Sequence, residues 1–126
     1  MGLPLVVQPE RLWMHRFDPA TASLAWLEGT TWSAVIRTPD EVTVICDLED
    51  PDGADATTGP YRAIKVDVVL DHDVIGVFAG IAGPLAEAGI SIFAVSTFDT
   101  DYTLVREDRL AEAVDALQLA AYDVTR

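Results

Sequence analysis

Residues 71–89, DHDVIGVFAGIAGPLAEAG, decide the fold. From Asp73 onward the apolar residues Val74, Phe78, Ile81, Leu85 and Ala88 follow in steps of four, three, four and three, which sets them on one stripe of a helix. Asp73 stands where an N-cap is wanted, because its carboxylate can accept the free N–H groups of a first turn, and Gly89 stands at the left-handed C′ position. Before this helix, residues 61–70, YRAIKVDVVL, set Ala63 or Ile64, Val66, Val68 and Leu70 against Lys65 and Asp67, the alternation of a strand with one buried face. After it, residues 91–98 and 102–105 read as strands joined by the turn Asp99-Thr100-Asp101. Residues 106–120 form a second predicted helix, with Leu110, Val114 and Leu117 inward and Glu107 and Asp108 in a first turn where the helix dipole favours acid. A short strand over 122–124 closes the series.

Strand, helix, strand, strand, helix, strand is the βαββαβ order of a ferredoxin-like α+β unit, an antiparallel sheet with both helices on one face. The first half of the chain is less regular. Residues 11–17, 32–37 and 42–48 read as strands, 24–27 as a short apolar piece, and Thr38-Pro39-Asp40-Glu41 as a capping-box pattern that makes one helical turn or a tight turn. The Asp-, Gly- and Pro-rich run ending at Pro60 reads as a solvated connector. The expected organisation is therefore a degenerate unit over 1–50, a connector over 51–60 and a complete unit over 61–126. Sliding the halves by 60 residues lays AVIRTPDEVTVI over AVSTFDTDYTLV, with Glu41 over Asp101 and Thr43 over Thr103, which suggests two copies of one strand-turn-strand element.

Composition narrows the function. A formal charge of −13 on 126 residues repels phosphate backbones, and the eight Lys and Arg form no basic stripe, which argues against nucleic-acid binding and docking on anionic membranes. Residues 74–86 are apolar but too few to cross a bilayer, which takes about 20 helical residues. No basic segment precedes a long apolar one near the N-terminus, so the cytoplasm is the expected compartment. Cys46, the single cysteine, lies in an apolar run and reads as a buried thiol.

Oxygen ligands cluster at Asp71-His72-Asp73 and at Asp99-Thr100-Asp101, without the dozen-residue loop that calcium takes or the His and Cys spacing that zinc takes. Gly-x-Ser-x-Gly and the phosphate-binding Gly-rich loop are absent as well. No metal, cofactor or catalytic residue is expected. Two readings remain open at the helix start: Asp73 as a cap and Gly76 as a packing glycine, or a ligand carboxylate on the N–H groups near Gly76 with its ammonium on Asp71 or Asp73. Asp99 reads as a turn residue. Asp101, with Ser96 and Thr97, puts polar groups on apolar strands and is the better candidate for gripping a ligand.

Residues 70–117 together resemble the ACT domain, the small ferredoxin-like module that binds amino acids and regulates enzymes of their metabolism. EAGISIFAVSTFDTDYTLV with SAVIRTPDEVTVI is similar, more narrowly, to small bacterial tandem-ACT proteins related to the CASTOR arginine sensors. The resemblance implies two ACT-like units, no catalytic centre and a homodimer that continues the sheet; a protein partner is a further expectation. It implies ligand contacts at Asp71, Asp73, Val74, Ile75 and Gly76, at Ile90, Ser91 and Ile92, at Ser96, Thr97 and Asp101, and on the first unit at Ser33, Arg37, Thr38 and Glu41. Phe98 stands where relatives tend to have Tyr, and Ile36 where a Thr usually precedes the Arg. The expected function is a non-enzymatic amino-acid-binding regulatory module; the alternative is a structural or protein-interaction module of the same fold that has lost its ligand.

Overall fold

The computed structural model describes residues 2–126. In chain order it has β1 (Pro4–Phe17), a 3-10 turn (Ala25–Gly29), β2 (Ser33–Arg37), β3 (Val42–Cys46), β4 (Ala56–Val66), α1 (Val77–Glu87), β5 (Ile92–Ser96), β6 (Asp101–Arg106), α2 (Leu110–Leu119) after a 3-10 turn (Glu107–Arg109), and β7 (Asp123–Thr125). Two compact units result. One takes residues 2–9 with Arg62–Arg126, the other Glu10–Tyr61, so β1 and β4 each run through both. No helix of the described residues is long and apolar enough to cross a membrane.

The larger unit has the expected βαββαβ order from β4 to β7, and its strands lie in the order β7-β1-β4-β6-β5. The start of β1 is the addition. Pro4, Leu5 and Val6 run parallel to Asp123, Val124 and Thr125, while the Asp67 N–H donates to the Pro4 carbonyl at 2.8 Å. Residues 2–9, which composition groups with the first half, thus stand between the first and last strands of the βαββαβ unit. Ile81 and Leu85 of α1 and Leu110, Ala113, Val114 and Leu117 of α2 share one core with Leu5, Val7, Ile64, Val66 and Val105, so both helices cover the same sheet face.

The helix α1 departs from its sequence reading at its start. It begins at Val77, and Gly76, at φ +84°, is its N-cap in the left-handed region that only glycine enters without strain. Asp73 therefore caps nothing: its own N–H is taken by the Asp71 carboxylate at 3.1 Å. Of the predicted stripe only Ile81 and Leu85 are buried, and Val74 and Phe78 face out. Of the small-residue strip, Gly80 is held by close approach. A Cβ there would lie 2.6 Å from the Tyr122 hydroxyl, whereas at Gly76 and Gly83 it would meet nothing within 4 Å.

The smaller unit has the order β2-β3-β1-β4. Phe17, Val42, Val44 and Cys46 make its core, covered by Leu24, Trp26 and Leu27 from the 3-10 turn region. A five-residue turn thus stands where the larger unit has α1, and no helix follows β3. The β4 strand begins at Ala56, inside the stretch that reads as a connector, because pairing supplies what Thr, Gly and Pro lack in apolar side chain; the Asp55 N–H donates to the Arg16 carbonyl at 2.9 Å. His15, fully buried, donates Nε2–H to the Leu48 carbonyl (2.7 Å) and meets the Thr57 hydroxyl at Nδ1 (2.8 Å). Cys46 is buried as expected, and desolvation pushes its thiol pKa up.

The hairpins β2–β3 and β5–β6 are equivalent, with a correction to the register of the sequence echo. Ser33 pairs with Cys46 and Arg37 with Val42; Ile92 pairs with Val105 and Ser96 with Asp101. Both sets match at a shift of 59 residues, so Asp101 corresponds to Val42 and Glu41 to Thr100. Alignment at 60 matches letters but slips the strands by one residue, which would turn every side chain to the other face.

Candidate functional site

The β5–β6 turn is built by Thr97. Its N–H and hydroxyl both donate to the Thr100 carbonyl (2.8 and 3.1 Å), and its hydroxyl oxygen accepts the Thr100 N–H at 3.2 Å. Thr100 then braces the turn against β4. Its buried hydroxyl donates to the Val66 carbonyl at 2.7 Å. The β4–α1 loop folds on Asp71, whose carboxylate accepts from the Asp73 N–H and whose carbonyl accepts from the Val74 N–H at 3.1 Å, and ends at left-handed Gly76.

Two hydrogen bonds join loop to turn. The Leu70 N–H donates to the Asp99 carbonyl at 2.7 Å. His72 Nε2 lies 2.7 Å from the Phe98 carbonyl, which can only accept, so the proton is on Nε2, and the two rings meet edge-on with centroids 4.5 Å apart. Between them is a cavity of about 280 Å³, walled by Leu70, Asp71, His72 and Val74 on the loop side and residues 96–101 on the turn side. That volume is at the small end for ligand pockets, which run from about 300 Å³ for drug-sized molecules, and suits a metabolite.

The wall is anionic. Asp71, Asp99 and Asp101 contribute carboxylates and no Lys or Arg lines it. The chain carries no Lys or Arg between Lys65 and Arg106, while six acids fall in that interval. Asp101 is held by the Ser96 hydroxyl, which donates to its Oδ1 at 2.8 Å. Among the described residues no three His, Cys, Asp or Glu side chains converge as a metal-binding group.

Of the residues singled out in the sequence, Asp71, Val74, Ser96, Thr97 and Asp101 meet at this cavity. Asp73 and Ile75 are exposed in the same loop outside the lining, and Gly76 caps α1. Ile90 is in the core, its N–H on the Leu85 carbonyl; Ser91 is exposed, and Ile92 lies against the core at the start of β5. Ser33 and Arg37 are exposed at the two ends of β2 in the smaller unit. There Thr38 anchors the β2–β3 turn, and Glu41 accepts the Thr43 hydroxyl at 2.7 Å beside a separate hollow of about 180 Å³. His72, Phe98, Asp99 and Thr100 are wall residues that sequence reasoning did not select. The Asp-His-Asp tripeptide did flag its centre, but only the fold brings His72 to Phe98.

Residues 57–118 match the family model of the ACT domain, and they largely fill the βαββαβ unit. Among individual relatives, the cytosolic arginine sensor for mTORC1 subunit 1 of Homo sapiens is 47% identical over 49 residues, 39% of this chain and 15% of that protein. The crystal structure of protein Atu0741 from Agobacterium tumefaciens superposes with a TM-score of 0.87 at 27% identity, covering 98% of this chain and 92% of that one. The aspartate kinase of Clostridium acetobutylicum shares the fold, with a TM-score of 0.68 at 12% identity over 92% of this chain and 34% of that one.

Proposed function

We propose that the protein is a regulatory module that binds an amino acid in the cavity between the β4–α1 loop and the β5–β6 turn, and that it does so without catalysing a reaction. The observation that carries this reading is that Asp71, Asp99 and Asp101 line, together with Ser96 and Thr97, a metabolite-sized cavity in a unit that matches the ACT domain. Carboxylates accept from an ammonium, and the Ser96 and Thr97 hydroxyls, whose protons go to Asp101 and to the Thr100 carbonyl, present lone pairs that accept as well, so the wall suits the ammonium end of an amino acid. Its charge disfavours acidic amino acids and favours neutral and basic ones. The likeness to a protein named as an arginine sensor supports the same ligand class. The two walls come from separate segments of the chain, so a ligand bridging them favours the arrangement that it binds better, by its differential affinity, which a cytoplasmic homodimer or its partner can read.

A thermal-shift screen against the twenty common amino acids tests it. A ligand at one hundred times its dissociation constant stabilises by about 2.7 kcal/mol, roughly 10 °C for a chain of this size. A shift confined to one or two neutral or basic amino acids, confirmed by equilibrium dialysis, is the expected outcome. A flat screen on folded protein, at millimolar concentrations, would overturn the reading.

A further inference from the structure

We infer that the surface around the cavity mouth docks a basic, amphipathic segment of another protein. Large apolar side chains are concentrated there. Ile75 is 94% exposed, Phe98 81% and Val69 78%, with Val74 and Phe78 also outward. The residues are contiguous. Val74 and Phe98 both wall the cavity, Ile75 follows Val74, Phe78 lies in the first turn of α1 just past Gly76, and Val69 precedes Leu70, whose amide is bonded to the Asp99 carbonyl. Exposed apolar groups clustered in this way mark interaction sites, whereas scattered ones do not.

Charge decides the occupant. Asp71, Asp73 and Asp99 are exposed around these side chains, and the interval from Val66 to Val105 has no Lys or Arg to balance them. A second copy would bring the same acidic rim against this one, a like-charge juxtaposition that disfavours pairing. An anionic bilayer is repelled for the same reason. A protein segment with Leu-, Ile- or Phe-type side chains on one face and Lys or Arg beside them satisfies both the apolar centre and the acidic rim. The inference goes beyond the proposed function and holds with the cavity empty or filled.

The test uses the whole chain and three synthetic peptides of equal length: an amphipathic one of Leu and Lys, its counterpart with Glu for Lys, and an all-Lys peptide. Binding is read by isothermal titration at two salt concentrations. The Leu/Lys peptide is expected to bind, weakening several-fold at high salt, and the other two to bind at least tenfold more weakly. Ile75→Ser and Phe98→Ser, both at exposed positions, are expected to reduce affinity tenfold or more, and Asp73→Asn about threefold. Leu119→Ser, an exposed apolar position on α2, serves as the control and leaves it unchanged. Equal binding of the all-Lys peptide, insensitivity to Ile75→Ser and Phe98→Ser, or no binding at millimolar peptide overturns the inference. So does self-association in sedimentation that Ile75→Ser abolishes, because the occupant is then a second copy.

Discussion

The β2–β3 and β5–β6 hairpins share five pairs of strand partners, a four-residue turn and a threonine anchor, yet one lines a cavity that gathers three aspartates and the other sets Glu41 alone on a smaller hollow. Thr38 donates its N–H and hydroxyl to the Glu41 carbonyl (2.9 and 3.2 Å) just as Thr97 does to the Thr100 carbonyl. The difference lies at the closing pair and in what precedes the hairpin. Ser96 and Asp101 close one hairpin with a side-chain hydrogen bond, whereas Arg37 and buried Val42 close the other. One hairpin also follows a helix with a ten-residue approach loop, and the other a single 3-10 turn. The turn is a scaffold that both units use; the site comes from the loop that meets it.

Four experiments bear on this comparison. Thr100→Val has the largest expected effect, because it strands the Val66 carbonyl in a buried place: about 2 kcal/mol lost in urea unfolding, against under about 0.5 kcal/mol for Glu41→Gln at the equivalent position. Equal losses would mean that Thr100 braces nothing. Next, Asp101→Asn is expected to weaken whichever amino acid the screen identifies by about tenfold, or about 1.4 kcal/mol, and Glu41→Gln to leave its affinity unchanged. If Glu41→Gln weakened it equally, the smaller unit would belong to the site.

Thr97→Val and Thr38→Val should each cost about 1 kcal/mol, since each removes a hydroxyl that closes its own turn. A twofold disparity would show that the anchors are not equivalent. The smallest effect is alkaline. Burial raises the pKa of Cys46 in one unit and of Tyr122 in the other above their ordinary values of 9.0 and 10.0. The unfolded chain therefore releases these protons first, so stability is intact below about pH 9 and declines as pH rises toward the folded-state values. Cys46→Val should remove the earlier part of that decline and leave the later part to Tyr122.

Much of this architecture could be read without coordinates. Alternation and helical period placed β5, β6, β7 and α2 within one or two residues, apart from the 3-10 turn that opens α2, and put Leu110, Val114 and Leu117 in the core, because each pattern was long enough to be averaged. The start of α1 was misread at Asp73 because a capping residue and an apolar period looked sufficient. Nothing in the letters tells that Gly76 turns left-handed three residues later. Half of the wall is legible in the sequence: Ser96, Thr97 and Asp101 are polar on otherwise apolar strands, and Asp71 is an acid beside the helix start. Thr100 is not legible, since its partner is a backbone carbonyl 34 residues away, and a threonine that braces reads the same as a threonine that turns.

The placement of β1 in the larger sheet also governs the order of events during synthesis. The strand at residues 4–6 leaves the ribosome well before its parallel neighbour at 123–125. Until then one of its sides is an unpaired edge, and Leu5 and Val7 have no complete core to enter. The larger unit is therefore closed only once residues 123–125 have emerged, by a contact between its two ends, and a nascent chain halted at residue 118, where the family match ends, would still carry that edge open.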